Sequence, residues 1–173
     1  MREKTQKEKL EDLMKRPIPR KWVGIVHLNM VKEGRGLYGM KRFCSPEDAV
    51  DLVRPMLKQA DRELFLVVSM DRKLEPLAIE IAAVGGIAGC HVDVRNIFKH
   101  ALLNNASYVI CFHNHPSGFP EPSGEDGRIT ERIKEAGNTL GIPLLDHIII
   151  GENGFYSFRE KGKIRLEFPD EAA

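Results

Sequence analysis

The sequence predicts an α/β (mixed α+β) domain with a central mixed β-sheet flanked by helices. Three observations lead there. Apolar runs of strand length (ELFLVVSM, SYVICF, LLDHIII) alternate with segments of helical period. Tight-turn signals occur beside longer, crossover-length connections, so antiparallel and parallel pairing are both expected. The run SYVICF leads through a loop into a helix, and open α/β sheets place their ligands at such strand ends.

Composition supports one well-cored domain with a modest appendage. The chain has 173 residues, 42% apolar and 29% charged, the balance of a folded globular protein. Its 26 Lys and Arg against 25 Asp and Glu give a net charge of +1, which gives no sign of a broad nucleic-acid-binding face. No apolar run approaches the ~20 residues that span a bilayer. The N-terminus, MREKTQKEKLEDLMKR, lacks the apolar stretch of a secretion signal, so a cytoplasmic location is expected. Cys44, Cys90 and Cys111 are scattered and odd in number, which implies no disulfide framework. Cys111 lies in an apolar run and reads as a small buried hydrophobe.

Residues 1–21 read as a charged tail and linker. Leu10, Leu13 and Met14 have helical spacing, and Pro17 and Pro19 break it. Residues 22–60 read as a hairpin and a helix packed on the core. WVGIVHLNMV and LYGMKRFC flank the Gly-rich turn 32–36, with Trp22 and Tyr38 as hairpin packing. In the helix Ser45 is the expected N-cap, Pro46 opens the first turn and Asp48 completes a capping box. Ala49, Val53, Met56 and Leu57 form its apolar stripe, and Pro55 predicts a kink or an early end.

The main domain is expected over 61–166, with a tail at 167–173. Strands are expected at 63–70 and 77–84, with Gly85, Gly86 and Gly89 marking a turn or bulge after the second. A helix follows over 94–103, stopped by Asn104 and Asn105. The strand at 107–112 precedes a loop, HNHPSGFPEPSG, whose three prolines and two glycines exclude a regular element. Ile129, Ile133, Ala136 and Leu140 give the stripe of a helix over 124–140, which Gly141 ends. A strand at 144–150 and a hairpin through Asn153-Gly154 to 155–158 complete the domain.

The loop carries the chemistry. His113 and His115 are one residue apart at a strand end, where alternation sends both to one side. Asp126 lies in the first turn of the next helix, and the loop folds back to bring it near. Neutral imidazole and carboxylate suit Zn²⁺, and three protein ligands with a fourth position for water is the pattern of a catalytic site. Hydrolysis then needs a non-ligand carboxylate to move a proton. Ser123 stands between loop and ligand, where its hydroxyl would steady a developing oxyanion.

His113-Asn114-His115-Pro116 followed by Ser123-Gly124-Glu125-Asp126 resembles the H-x-H-P, spacer, S-x-x-D motif of the JAMM (MPN-plus) metallohydrolases. The longer text HNHPSGFPEPSGEDGRIT, with LLDHIIIG and YSFREKG after it, resembles the bacterial RadC-like branch over roughly residues 61–166. The resemblance implies the JAB/MPN (deaminase-like) architecture and zinc held by His113, His115 and Asp126. It implies Ser123 beside the tetrahedral intermediate and a glutamate from an early strand as general acid/base. Glu63 is the best match for that glutamate, with Glu75 and Glu80 as rivals. The implied reaction is hydrolysis of a peptide, isopeptide or other amide.

Other readings compete. Ser123-x-x-Asp126 is also a capping box, with a purely local role. Asp146-His147 reads as structural, or as a group orienting a ligand from behind. His27, His91 and His100 read as ordinary core or surface histidines. Asn114 and Ser117 read as loop-shaping residues, and Pro116, Pro120 and Pro122 as stiffeners. The alternative class is a non-catalytic or DNA-repair-associated binding module, resting on the RadC resemblance and on Lys15, Arg16, Arg20 and Lys21. The helix-hairpin-helix pattern that precedes this domain in longer RadC-like proteins is not found in residues 1–60.

Overall fold

The computed structural model describes residues 42–57, 60–86 and 90–165, with isolated positions before them. The hairpin expected over 22–43, the Pro17–Pro19 break, Arg16, Arg20, Lys21, Gly89 and the tail at 167–173 lie outside the described residues, isolated positions and the last residues of the hairpin segment apart. The chain divides into two compact units, 1–35 and 36–173. In the first, Lys7, Glu8, Glu11 and Asp12 are helical, and the Thr5 and Glu8 side chains each accept from the other's backbone N–H, at 3.3 and 2.7 Å.

The second unit runs α1 (Pro46–Leu57), β1 (Leu64–Met70), β2 (Pro76–Val84), α2 (Val94–Leu103), β3 (Tyr108–Asn114), α3 (Gly124–Leu140), β4 (Leu144–Ile150) and β5 (Phe155–Ser157). The five strands form one sheet in the order β2-β1-β3-β4-β5. Only β3 and β4 pair in parallel; the β1–β2, β1–β3 and β4–β5 pairs are antiparallel. The architecture is the mixed sheet with flanking helices that the alternating runs predict. Among the described residues no helix is long and apolar enough to cross a membrane.

Alternation splits the sheet into two apolar faces. Phe65, Val67, Val109, Cys111 and Ile149 pack with Ile97, Phe98 and Ala101 of α2 and Ile133 of α3. Leu66, Val68, Met70, Ile110, Phe112 and Ile148 pack with Ala49, Val50, Val53 and Leu57 of α1. Cys111 is fully buried in the first face, and that burial pushes its thiol well above the usual range.

The apolar stripes of α1 and α3 differ from expectation, while the capping box and the early helix end hold. The α1 stripe is Ala49, Val50, Val53 and Leu57; Met56 is 43% exposed. The capping box is present, with Ser45 N–H donating to Asp48 at 3.1 Å and Asp48 N–H to Ser45 Oγ at 3.4 Å. Pro55 sits in the last turn, and the helix runs only two residues past it. In α3 the buried positions are Thr130, Ile133 and Gly137, with Ile129 and Ala136 at the margin and Leu140 45% exposed.

Gly137 explains the rotation of that face. A Cβ there would stand 2.6 Å from the Ile142 carbonyl oxygen and 3.2 Å from the Phe98 ring, so the helix lies closer to the chain than any side chain permits. Gly137→Ala is expected to destabilise the fold by about 1–3 kcal/mol, overriding its gain in helix propensity. The denaturant midpoint measures this. Gly141 ends α3 in the left-handed region, at φ 69°, as its position predicts.

Candidate metal centre

The expected loop begins later than its prolines suggest. His113 and Asn114 belong to β3, paired in parallel with Ile149 and Ile150 of β4, and His115 N–H still reaches the Ile150 carbonyl at 3.0 Å. The apolar partner strand extends the ladder into polar sequence. The loop itself packs against Gly151: a Cβ there would stand 2.4 Å from the Gly118 carbonyl oxygen and 2.9 Å from the Pro120 ring. Only glycine lets the two segments approach this closely.

The three expected ligands converge. His113, His115 and Asp126 each present one donor atom, all within 4.8 Å of one another. His113 Nε2 lies 3.0 Å from His115 Nε2 and 3.2 Å from Asp126 Oδ1, and His115 Nε2 lies 3.7 Å from Asp126 Oδ2. Two ligand atoms on a tetrahedral zinc ion stand about 3.3 Å apart, within the span of these separations. His115 Nδ1 donates to the Phe119 carbonyl at 2.8 Å, because a carbonyl can only accept, and this leaves Nε2 as a bare lone pair. The donor set therefore fits a divalent cation.

Electrostatics point the same way. Burial opposes the charge of Asp126, yet the His113 and His115 rings and the Ser123 hydroxyl that face it outweigh that effect and hold the carboxyl well below the usual carboxylate range. The Asp126 carboxylate in turn raises the His115 pKa against the opposing effect of burial. Both readings of Ser123 and Asp126 meet here. Ser123 Oγ accepts from Asp126 N–H at 3.2 Å, its backbone N–H donates to Asp126 Oδ2 at 2.7 Å, and its hydroxyl donates to the same oxygen at 2.6 Å. The capping box thus orients a carboxylate that also faces both histidines.

Glu63 lies immediately before β1 and lines a cleft of about 180 Å³ with Phe65, His113 and Asp126. Glu75 and Glu80 do not share it. Glu75 sits in the β1–β2 turn, at the end of β1 away from the Phe65–His113 pair, and Glu80 faces His100 at 3.5 Å.

Asn114 does more than shape the loop. Its Oδ1 accepts from Leu64 N–H at 2.8 Å and its Nδ2 donates to the Arg62 carbonyl at 3.1 Å, so it grips the backbone on both sides of Glu63. Nothing in the local sequence reveals this, because the partners are 50 and 52 residues away. Asn114→Ala is expected to cost about 1–3 kcal/mol in stability, since it strips partners from a backbone donor and acceptor. Metal content, read by elemental analysis, is expected to match that of the wild type, because Asn114 is outside the converging donor cluster.

Asp146 and His147 divide their roles. Asp146 accepts from Ser157 Oγ at 2.5 Å, from His147 N–H at 2.7 Å and from Arg159 N–H at 2.9 Å, tying β4 to the turn after β5. Burial pushes its carboxyl up to about 6 against these bonds. His147 is fully buried behind His113, with the two rings joined by a 2.9 Å Nδ1–Nε2 hydrogen bond. Burial holds its imidazole well below the usual range, hence neutral.

Comparison with known proteins covers this same region. The family model described as RadC-like JAB domain matches residues 43–163. A UPF0758 protein of Methanosarcina barkeri is 40% identical over 125 residues, 72% of this chain and 55% of that protein. One from Listeria monocytogenes serotype 4b is 47% identical over 117 residues, 68% of this chain and 52% of its own length. One from Salinibacter ruber is 43% identical over 119 residues, 69% and 51%. The chain spans about half the length of the curated relatives it matches.

Proposed function

The chain belongs to the RadC-like JAB domain family, and from that membership and the cleft geometry we propose that it is a zinc-dependent hydrolase of amide or isopeptide bonds. The observation that carries this reading is the convergence of His113, His115 and Asp126 beside an acidic side chain that is not a ligand. Zinc, when bound, would supply Lewis acidity and bring the pKa of a coordinated water to near 7.

The protein's own residues do the rest. His113 and His115 present lone pairs, and Asp126 adds negative charge and closes the triad. Glu63, beside the triad in the cleft, takes the proton of the attacking water and returns it to the leaving nitrogen. Asn114 keeps the Glu63 backbone in place. The Ser123 hydroxyl, now donating to Asp126, turns to the substrate carbonyl oxygen as that oxygen gains charge. Phe65, stacked on His113 with centroids 5.8 Å apart, forms an apolar wall to the cleft. A peptide, an isopeptide and a simple amide all offer the bond this chemistry needs.

The test is a hydrolysis screen over those three substrate types, with zinc-loaded protein and a zinc-stripped control. Zinc-dependent amide cleavage supports the reading. No turnover of any substrate by protein holding stoichiometric zinc moves the non-catalytic module to first place.

A further inference from the structure

His147 and Thr130 are both buried, and neither belongs to the ligand triad. We propose that Thr130 and His147 are positioning residues, forming with His113 a one-way hydrogen-bond chain that keeps the His113 proton on Nδ1 and its Nε2 bare for the metal. This rests on the reading of His113 as a ligand.

The direction follows from counting protons. Thr130 Oγ1 lies 2.5 Å from the Asp126 backbone carbonyl oxygen. Two oxygens hold that separation only with a hydrogen between them, and a carbonyl has none to give. The single hydroxyl proton of Thr130 is therefore committed. Toward His147 Nδ1, at 2.7 Å, Thr130 can only accept, so His147 carries its proton on Nδ1. The His147 ring is wholly buried against Phe65 and Phe158, where a charged imidazolium is disfavoured, so with its one proton on Nδ1 its Nε2 is bare and can only accept from His113 Nδ1–H at 2.9 Å. The remaining nitrogen of His113 is the one that faces His115 and Asp126.

The series starts at the Asp126 main chain, passes through Thr130, His147 and His113, and ends at the bare Nε2 that stands 3.2 Å from the Asp126 carboxylate. Stacking holds the rings in plane, with Phe158 over His147 at 5.2 Å and 8° and Phe65 over His113 at 5.8 Å and 11°. A helical threonine often bonds the carbonyl one turn back, and a buried histidine needs partners. Those habits explain each bond alone. They do not explain why the bonds run in series to a ligand atom. In the reverse direction, with Thr130 donating to His147, a hydrogen would sit on His113 Nε2 and block the metal.

Two measurements on the full chain test this. In zinc-free protein with ¹⁵N-labelled histidine, long-range ¹H–¹⁵N correlations should show His113 and His147 as Nδ1–H tautomers. An Nε2–H form at His113 overturns the proposal. Zinc affinity, by competition with a chromophoric chelator, should fall about 10–100-fold in Thr130→Val and return in Thr130→Ser. A folded Thr130→Val with unchanged zinc affinity also overturns it. If Thr130→Val does not fold, the wild-type tautomers decide. Absence of zinc binding by wild type would instead refute the metal reading, and the zinc-free tautomers would still test the chain.

Discussion

His113→Ala and His115→Ala are each expected to lose the zinc that the proposed function requires, expected in the wild type at about one ion per chain. The loss should exceed the ~10–100-fold typical of removing an outer hydrogen-bond partner, because a donor atom itself is gone. Elemental analysis and competition titration measure it. The two variants should differ in stability. His113 is buried, and its removal leaves His147 Nε2 without a donor, at a cost of about 1–3 kcal/mol. His115 is only part-buried, its Nδ1 engaging the Phe119 carbonyl, so its variant should fold nearly as well as the wild type. Zinc retained at full affinity in His115→Ala would exclude that residue as a ligand.

The pH dependence follows from the same site. A ligand imidazole must give up its proton before it can bind, so protons compete with zinc. The Asp126 carboxylate raises the His115 pKa, which means the proton is held to higher pH than by a free imidazole, near 6.5. Zinc affinity should therefore be fully present above the raised pKa and fall as pH drops through it. Asp126 adds no step in the neutral range, since its carboxyl is held far below it.

The parts of this site legible in sequence are the parts held by local geometry. His113 and His115 share a strand end, and Ser123 and Asp126 share the first turn of a helix, so spacing alone places them. The strands are legible because their apolar runs exceed what an exposed segment would carry. The supporting shell is different. Asn114 grips Arg62 and Leu64 across β1 and β3, and His147 reaches His113 across a parallel pair that no spacing encodes. Thr130 looks like an ordinary helical threonine until the Gly137 contact brings that face of α3 onto the chain. The same approach turned the expected stripe away from Leu140. Asn114 and Thr130 depend on pairing between distant segments and escape a local reading; His147 stands there only as one of two alternatives, and Glu63, also brought in by β1–β3 pairing, comes from the family resemblance.

Glu63→Gln is expected to lower zinc-dependent hydrolysis by about 10²–10⁴-fold while zinc affinity stays that of the wild type. The amide keeps the shape of the side chain and removes its capacity to carry a proton. The separation of readouts follows from position: Glu63 lines the cleft with His113 and Asp126 but is not one of the three converging donors. Glu75→Gln and Glu80→Gln should leave the rate unchanged, because one lies in the turn at the other end of β1 and the other is engaged with His100. A Glu63→Gln protein with full activity would remove Glu63 from the mechanism and require another proton carrier in the cleft. Glu125 is the next carboxylate there, and Glu125→Gln is the control that would find it. Loss of zinc together with activity would instead make Glu63 a fourth ligand. It would leave too few open positions for water and substrate, and the centre would then be a closed, structural one.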